Sequence, residues 1–303
     1  MKKLIIAAGT GFLGNVLVEH FKNKAETIVI LTRSKKKSIG NIKYVHWDAK
    51  TLGEWKQELD DADVLINMTG KSVDCRYHQK NKDLILSSRV DSTAILGEAI
   101  LACKNPPKAW LNSSTATIYR HSLDKEMDET DGEIGTGFSV NVATNWESVF
   151  FSQQTPKTRK VALRTSIVLG KNGGALQPIL NLVKIGFGGK QGKGNQKFSW
   201  IHELDFTRSL EFIIENSAIQ GPVNIVAPKP TDNNGLMKTL RNVTKTPFGI
   251  PLPKLLLEIG AWIIKTETEL ILKSRNVIPK KLQDAGFKFK QPNLTQALID
   301  LTS

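Results

Sequence analysis

The residues of this chain with the clearest chemical spacing are Gly9, Gly11 and Gly14 in AAGTGFLG, a match to G-x-G-x-x-G. The pattern needs a strand before it and a helix after it. Both are expected here: LIIAA (4–8) is a continuous apolar run, and FLGNVLVEHF (12–21) has helical periodicity. In that setting Gly9, Thr10, Gly11, Phe12, Leu13 and Gly14 form a tight turn that lets backbone amides and a helix N-terminus approach a pyrophosphate. A site for NAD usually adds an acid about 20 residues on, to bind the ribose 2′-hydroxyl. No Asp or Glu occurs from Thr27 through Trp47, and LTRSKKK (31–37) stands there instead. Arg33, Ser34 and Lys35 suit a 2′-phosphate through charge-assisted hydrogen bonds, so NADP, and NADPH over NADH, is the expected cofactor.

The elements that would position this loop follow from the hydrophobic pattern. TIVILT (27–32), IKYVHW (42–47), ADVLINM (62–68), AWLNSS (109–114) and RKVALRTSIVLG (159–170) read as strands. Between them, residues 80–103 read as a long amphipathic helix with Leu86, Val90, Ala94, Gly97 and Leu101 on one stripe, and a second helix starts near Gly137. Buried strands alternating with helices predict an α/β fold with a doubly wound, Rossmann-type parallel sheet. Beyond residue 170 the pattern changes. A Gly-rich stretch (173–196) with an apolar helical start leads to a strand at 197–202, a helix at 203–216 and a strand at 221–227. The expected organisation is an NADP-binding domain over 1–170, interleaved with a smaller mixed substrate-side and C-terminal helical region over 171–303. Residues 251–273 are strongly apolar, as a homodimer face or membrane-surface helix would be, but Lys254, Glu258 and Lys265 punctuate them and favour packing onto the main domain.

These motifs resemble the extended short-chain dehydrogenase/reductases, in particular the atypical nucleoside-diphosphate-sugar epimerase-like family with a small C-terminal helical extension. The resemblance runs through AAGTGFLG, LTRS, HWDAK, INMTG, CRYHQKNKDLILSSRVDST, NSSTATIY, NWES, RTSIVLG, GGKQGKGNQKFSWIHELD, GPVNIVAP and VIPKKLQDAGFKF, nearly the whole length. It implies that the Gly loop, Arg33 and Ser34 hold cofactor phosphates, that Asp48 lies beside the adenine, and that Thr69 and Gly70 line the cofactor after the fourth strand. Ala8 departs from the superfamily pattern, which places a Gly there.

The resemblance also implies a catalytic Ser or Thr, a Tyr and a Lys. Thr115 matches the hydroxyl position, with Ser113 and Ser114 beside it. The Tyr-x-x-x-Lys pair is missing: alignment on Trp146-Glu147 puts Ser139 and Ala143 in its place, and Tyr44, Tyr77 and Tyr119 are followed four residues later by Asp48, Asn81 and Leu123. A nearby ammonium lowers a phenol from near pH 10 toward neutrality; Ser139 cannot titrate there and Ala143 brings no charge. The replacement candidates are Tyr77 as proton donor and His202 in SWIHELD as acid/base, with Glu147 better read as an ion-paired or capping carboxylate. Arg76 could clamp an anion, Arg89 and Arg164 fix loops, Ser114 faces substrate, and Lys190 with Lys193 in the 188–196 loop suit a phosphorylated or nucleotide-linked ligand.

Two classes of function follow. One is an NADP-dependent oxidoreductase or epimerase-type enzyme on a nucleotide-sugar-like or small carbonyl substrate. The other is a non-catalytic NADP(H)-binding redox sensor. The net charge of +13 favours anionic partners, but the basic residues are scattered and not interleaved with aromatics, which argues against nucleic acid. Five His in no paired spacing argue against a metal site, and the opening MKKLIIAAGTGFLG reads as strand and turn, not as a signal peptide. Two Cys in no metal or redox spacing and no segment of membrane-spanning length lead to the expectation of a cytoplasmic protein.

Overall fold

The computed structural model describes residues 1–263 and 267–303, with side chains described except at 260–263, 270 and 271. The strands β1 (Lys3–Ala7), β2 (Thr27–Thr32), β3 (Ile42–His46), β4 (Val64–Asn67), β5 (Ala109–Thr115) and β6 (Arg159–Thr165) are joined by a seventh, Gly221–Ile225. All pair in parallel, in the order 221–225, β6, β5, β4, β1, β2, β3. The strand pleat distributes their apolar residues between two cores. Leu4, Ile6, Ile28 and Ile30 meet Leu17 and Phe21 of helix α1 (Phe12–Phe21) and Phe206 and Leu210 of the helix Glu203–Glu215. Ile5, Ala7, Val29 and Leu31 face the other side. Their core includes Ile95, Leu96 and Ile100 of helix α2 (Gln79–Leu101) and Phe150 of helix α3 (Phe138–Ser152). The sheet is therefore doubly wound, and its order reverses between β1 and β4, where such sheets open a crevice at the strand C-termini.

The structure differs from the sequence pattern in three places. Residues 159–170 form two strands, because Ser166 donates its amide to Ile225 and the chain then leaves the sheet: Ile167–Gly170 pairs with Trp200–His202 instead. The buried face of α2 centres on Ile85, Ser92, Leu96, Ala99 and Ile100, while Leu101 is exposed, because Leu96, Ala99 and Ile100 pack into the core on the sheet with Ile5, Val29 and Leu65. Of the apolar segment 251–273, Lys254–Ile263 is helical with Leu255, Leu256 and Ile259 exposed, and Lys265 lies outside the described residues. Among the described residues no helix is long and apolar enough to cross a membrane, and no cluster of His, Cys, Asp or Glu could hold a metal.

Candidate active site

The Gly loop joins β1 to α1 at the crevice. A Cβ on Gly14 would stand 2.4 Å from the Gly9 carbonyl carbon, so this turn closes only without a side chain there. A Cβ on Gly11 meets nothing within 4 Å, leaving open space over the loop. Gly11 also caps α1, whose first turn carries no acidic residue, so its free amides and dipole favour an anion. Ala8, where the superfamily has Gly, takes the left-handed φ of +59° that Gly would adopt without strain.

A cavity of about 240 Å³ opens beside this loop. Leu13, Thr69 and Gly70 form the wall next to the Gly loop; Ser113, Ser114, Thr115 and Thr165 its floor; Tyr77, Phe138, Val142 and Trp146 much of its remaining, largely apolar lining. The Thr69 hydroxyl is buried with no hydrogen-bond partner. Orphaned buried polar groups are costly, and one beside an anion-seeking helix terminus fits a dinucleotide: the Gly loop would hold its pyrophosphate and Thr69 with Gly70 its middle.

The floor is braced by a buried network. Ser114 Oγ donates to Glu147 Oε1 at 2.6 Å, and Arg164 grips Glu147 through Nε at 2.8 Å and Nη2 at 2.7 Å. Arg164 Nη1 donates to Tyr119, whose hydroxyl donates to Asn224 on the strand 221–225. Burial lowers the Arg164 pKa, but Glu147 outweighs it and holds the guanidinium above its ordinary value. Glu147 is thus an ion-paired residue beneath the floor, and the Ser114 hydroxyl proton is already committed to it.

Of the two residues that the sequence alignment sets in place of the Tyr and Lys, Ser139 lines the cavity and Ala143 is fully buried. Tyr77, from the loop between β4 and α2, reaches the same region: its ring stacks edge-on against Phe138 at 4.9 Å, and its hydroxyl interacts with Ser139. Ser139 Oγ in turn donates to Glu269 Oε2 at 3.1 Å, and Lys273 Nζ lies 3.4 Å from the other oxygen of that carboxylate. Glu267 Oε1 accepts the Tyr77 amide at 2.7 Å and sits 3.6 Å from Arg76. Burial raises the Tyr77 phenol pKa, and the Glu269 and Glu267 carboxylates add to the rise against the Ser139 hydroxyl, so the phenol is a proton donor at neutral pH. On the floor, Thr115 Oγ1 donates to Thr117 Oγ1 at 3.0 Å and accepts the Thr117 amide at 3.1 Å.

His202 is outside the cavity. Its Nδ1 accepts the Leu204 amide at 3.0 Å as the cap of the helix 203–215, and Nε2 lies 3.1 Å from Asp300. Both ring nitrogens are occupied in a side chain that is 3% exposed, so a capping role accounts for it better than acid/base work. Lys190 is exposed away from the cavity, its carbonyl holding the Leu252 amide. Arg33 and Ser34 project at the exposed C-terminal end of β2. Asp48 is exposed after β3, and its carboxylate is engaged by the Thr51 hydroxyl and amide and the Lys50 amide, which lower its pKa to about 2. Arg89 reaches the cavity wall. Its guanidinium lies over the Trp146 ring at 5.1 Å, its Nη1 donates to the Lys71 and Ile85 carbonyls, and burial pulls its pKa down to about 10. Glu267 and Glu269 reach the site from a segment distant in sequence that carries no spacing to signal it.

Residues 4–226 match the model of the NAD dependent epimerase/dehydratase family, and residues 252–301 match a domain of unknown function, DUF1731. An epimerase family protein of Staphylococcus haemolyticus is 34% identical over 302 residues, covering 99% of both chains, and one of Staphylococcus aureus is 34% identical over all of both chains. Among solved structures, the human epimerase family protein SDR39U1, crystallised with NADPH, superposes with a TM-score of 0.88 at 28% identity over 99% of this chain and 98% of that one. A nucleoside-diphosphate sugar epimerase of Corynebacterium glutamicum gives 0.78 at 25% identity over 98% of this chain and 57% of that one. The doubly wound sheet, the Gly loop at its reversal point and these matches agree, and the chain belongs to the NAD dependent epimerase/dehydratase family.

Proposed function

We propose that this protein is an NADPH-dependent oxidoreductase acting on a small carbonyl compound, with Tyr77 in place of the absent helical Tyr. The observation that carries the reading is the convergence of Tyr77, Ser139 and Thr115 on one cavity that Leu13 of the Gly loop also lines. Arg33 and Ser34, with no acid on the neighbouring strands, support NADP over NAD, and the NADPH in the human relative supports the same choice. When bound, NADPH supplies the hydride to the carbonyl carbon. Thr115 orients the carbonyl oxygen by a hydrogen bond, its hydroxyl proton turning from Thr117 Oγ1 to the substrate. Tyr77, held protonated, gives its proton to that oxygen as it gains charge, completing the alcohol. The path from Tyr77 through Ser139 to Glu269 and Lys273 then returns a proton from solvent to the phenolate. The apolar walls of Phe138, Val142 and Trp146 exclude water from the transfer.

A redox sensor would need the loop but not this set of hydroxyls, and the epimerase alternative would show sugar isomerisation without net cofactor oxidation. Incubating the NADPH complex with small carbonyl compounds and nucleotide sugars, reading both cofactor oxidation and sugar products, separates the three. Oxidation that falls by about 10²–10⁴ in Tyr77→Phe supports the proposal. No oxidation by any carbonyl compound, with tight NADPH binding, rejects it: in favour of the epimerase if a sugar is isomerised, and of the sensor if none is.

A further inference from the structure

Away from the cavity, one face of the molecule exposes large apolar side chains. Ile185, Phe248 and Leu255 are 70%, 62% and 68% exposed, and Ile250, Leu256 and Ile259 are about half exposed. They come from stretches of chain that lie together. The Ile250 amide donates to the Gly186 carbonyl at 2.8 Å, and the Leu252 amide to the Lys190 carbonyl at 2.9 Å. In return, the Gly189 amide donates to the Ile250 carbonyl at 3.2 Å and the Gly192 amide to the Leu252 carbonyl at 2.8 Å. A Cβ on Gly186 would stand 3.2 Å from the Phe248 ring. The helix Lys254–Ile263 follows at once, burying Leu257 and leaving Leu255, Leu256 and Ile259 exposed.

The charge of this face has one sign. Residues 183–196 and 233–257 contain no Asp or Glu, while Lys184, Lys190, Lys193, Lys245 and Lys254 are all exposed. Among the described residues, Lys254 alone of these has a carboxylate partner, Glu258 at 3.6 Å. Large apolar side chains exposed together mark an interaction surface, and the lysines say of what kind. Protein interfaces are depleted of lysine, and a twofold contact with a second copy would set these lysines against each other. The apolar side chains also project outward, so a rigid partner would need a pocket for each. Fluid acyl chains take them up without one, while lysines reach the headgroup phosphates. We infer that this face docks on an anionic phospholipid bilayer. Phe248, Leu255 and Leu256 enter the acyl boundary, and Lys184, Lys245 and Lys254 meet the headgroups. The contact is peripheral, since no described helix is long and apolar enough to cross a membrane. Docking needs neither cofactor nor turnover, so it stands apart from the proposed reductase.

Flotation of the full chain with vesicles tests this, using phosphatidylcholine alone and phosphatidylcholine with about one-third phosphatidylglycerol. Wild type should bind the anionic vesicles at least about tenfold more tightly, and salt raised to about 0.5 M should weaken that binding. The double variant Leu255→Ser/Leu256→Ser should lose at least about tenfold in affinity for the anionic vesicles, and Lys245→Gln/Lys254→Gln a similar factor. All four side chains are exposed, so NADPH affinity and thermal unfolding should match wild type and show that each variant folds. Phe248→Ser should weaken vesicle binding in the same direction, and it decides the matter if the leucine variant fails to fold. Failure to bind the anionic vesicles, or equal binding to both kinds, overturns the docking. Vesicle binding that the serine variants leave unchanged does the same, because charge alone would then hold the protein. A dimer in sedimentation velocity that Leu255→Ser/Leu256→Ser dissociates would give this face to a second copy and also overturn it.

Discussion

Two glycines of one loop should fail in different ways. Gly14 lies so close to Gly9 that a Cβ would sit 2.4 Å from its carbonyl carbon, about 1 Å inside ordinary contact. Both atoms are backbone, so relief requires the turn itself to move. Gly14→Ala should therefore lose about 1–3 kcal/mol of stability, the cost of overpacking, and cofactor binding with it. Gly11 has an extended backbone, φ −84°, and nothing within 4 Å of its would-be Cβ. Gly11→Ala should leave stability within about 0.5 kcal/mol of wild type. Its methyl group nonetheless stands where the pyrophosphate must approach, so NADPH affinity should fall about 10- to 100-fold, or about 1.4–2.8 kcal/mol. Chemical denaturation and titration of NADPH fluorescence on the same preparations read the two effects separately. If Gly11→Ala binds NADPH like wild type, the pyrophosphate does not lie over this loop and the placement of the cavity against the cofactor is wrong.

Glu147→Gln should destabilise by about 3–5 kcal/mol in chemical denaturation, because it strands the Arg164 guanidinium in the floor; a loss below about 1 kcal/mol would mean the pair is solvated. The Tyr77 phenol is raised, so its proton-donating form is complete below its folded pKa and disappears only as pH rises through it. The pH profile of carbonyl reduction should accordingly show no fall assignable to Tyr77 between neutrality and about pH 10, the ordinary phenol value; an inflection near pH 7 absent from Tyr77→Phe would contradict that environment. Ala8→Gly should raise stability by about 0.5–1 kcal/mol in thermal unfolding by relieving the left-handed φ, and a decrease would show that residue 8 is unstrained.

What the sequence conveys depends on how local the constraint is. The Gly loop was readable because Gly9 and Gly14 answer to each other over five residues, and the strands because two-sided burial demands continuous apolar runs such as Ile28–Leu31. The stripe on α2 is not legible in its own period, because its buried face is set by the sheet and α3 together. His202 looked like chemistry in SWIHELD, yet a polar residue followed at once by Glu203 and Asp205 is also how a helix start reads. The site beyond the loop is tertiary: Tyr77 meets Ser139 from another segment, Ser139 and Glu269 are 130 residues apart, and Thr117 and Arg275 are 158. No spacing rule spans such gaps, so the sequence does not show which groups meet there.

The most direct measurement is a parallel titration of wild type and Arg33→Glu with NADPH and NADH, following nicotinamide fluorescence. Wild type should bind NADPH at least about tenfold more tightly than NADH, and Arg33→Glu should remove this preference while leaving NADH binding in place. Equal affinity for the two cofactors, or a preference for NADPH that survives Arg33→Glu, would contradict it.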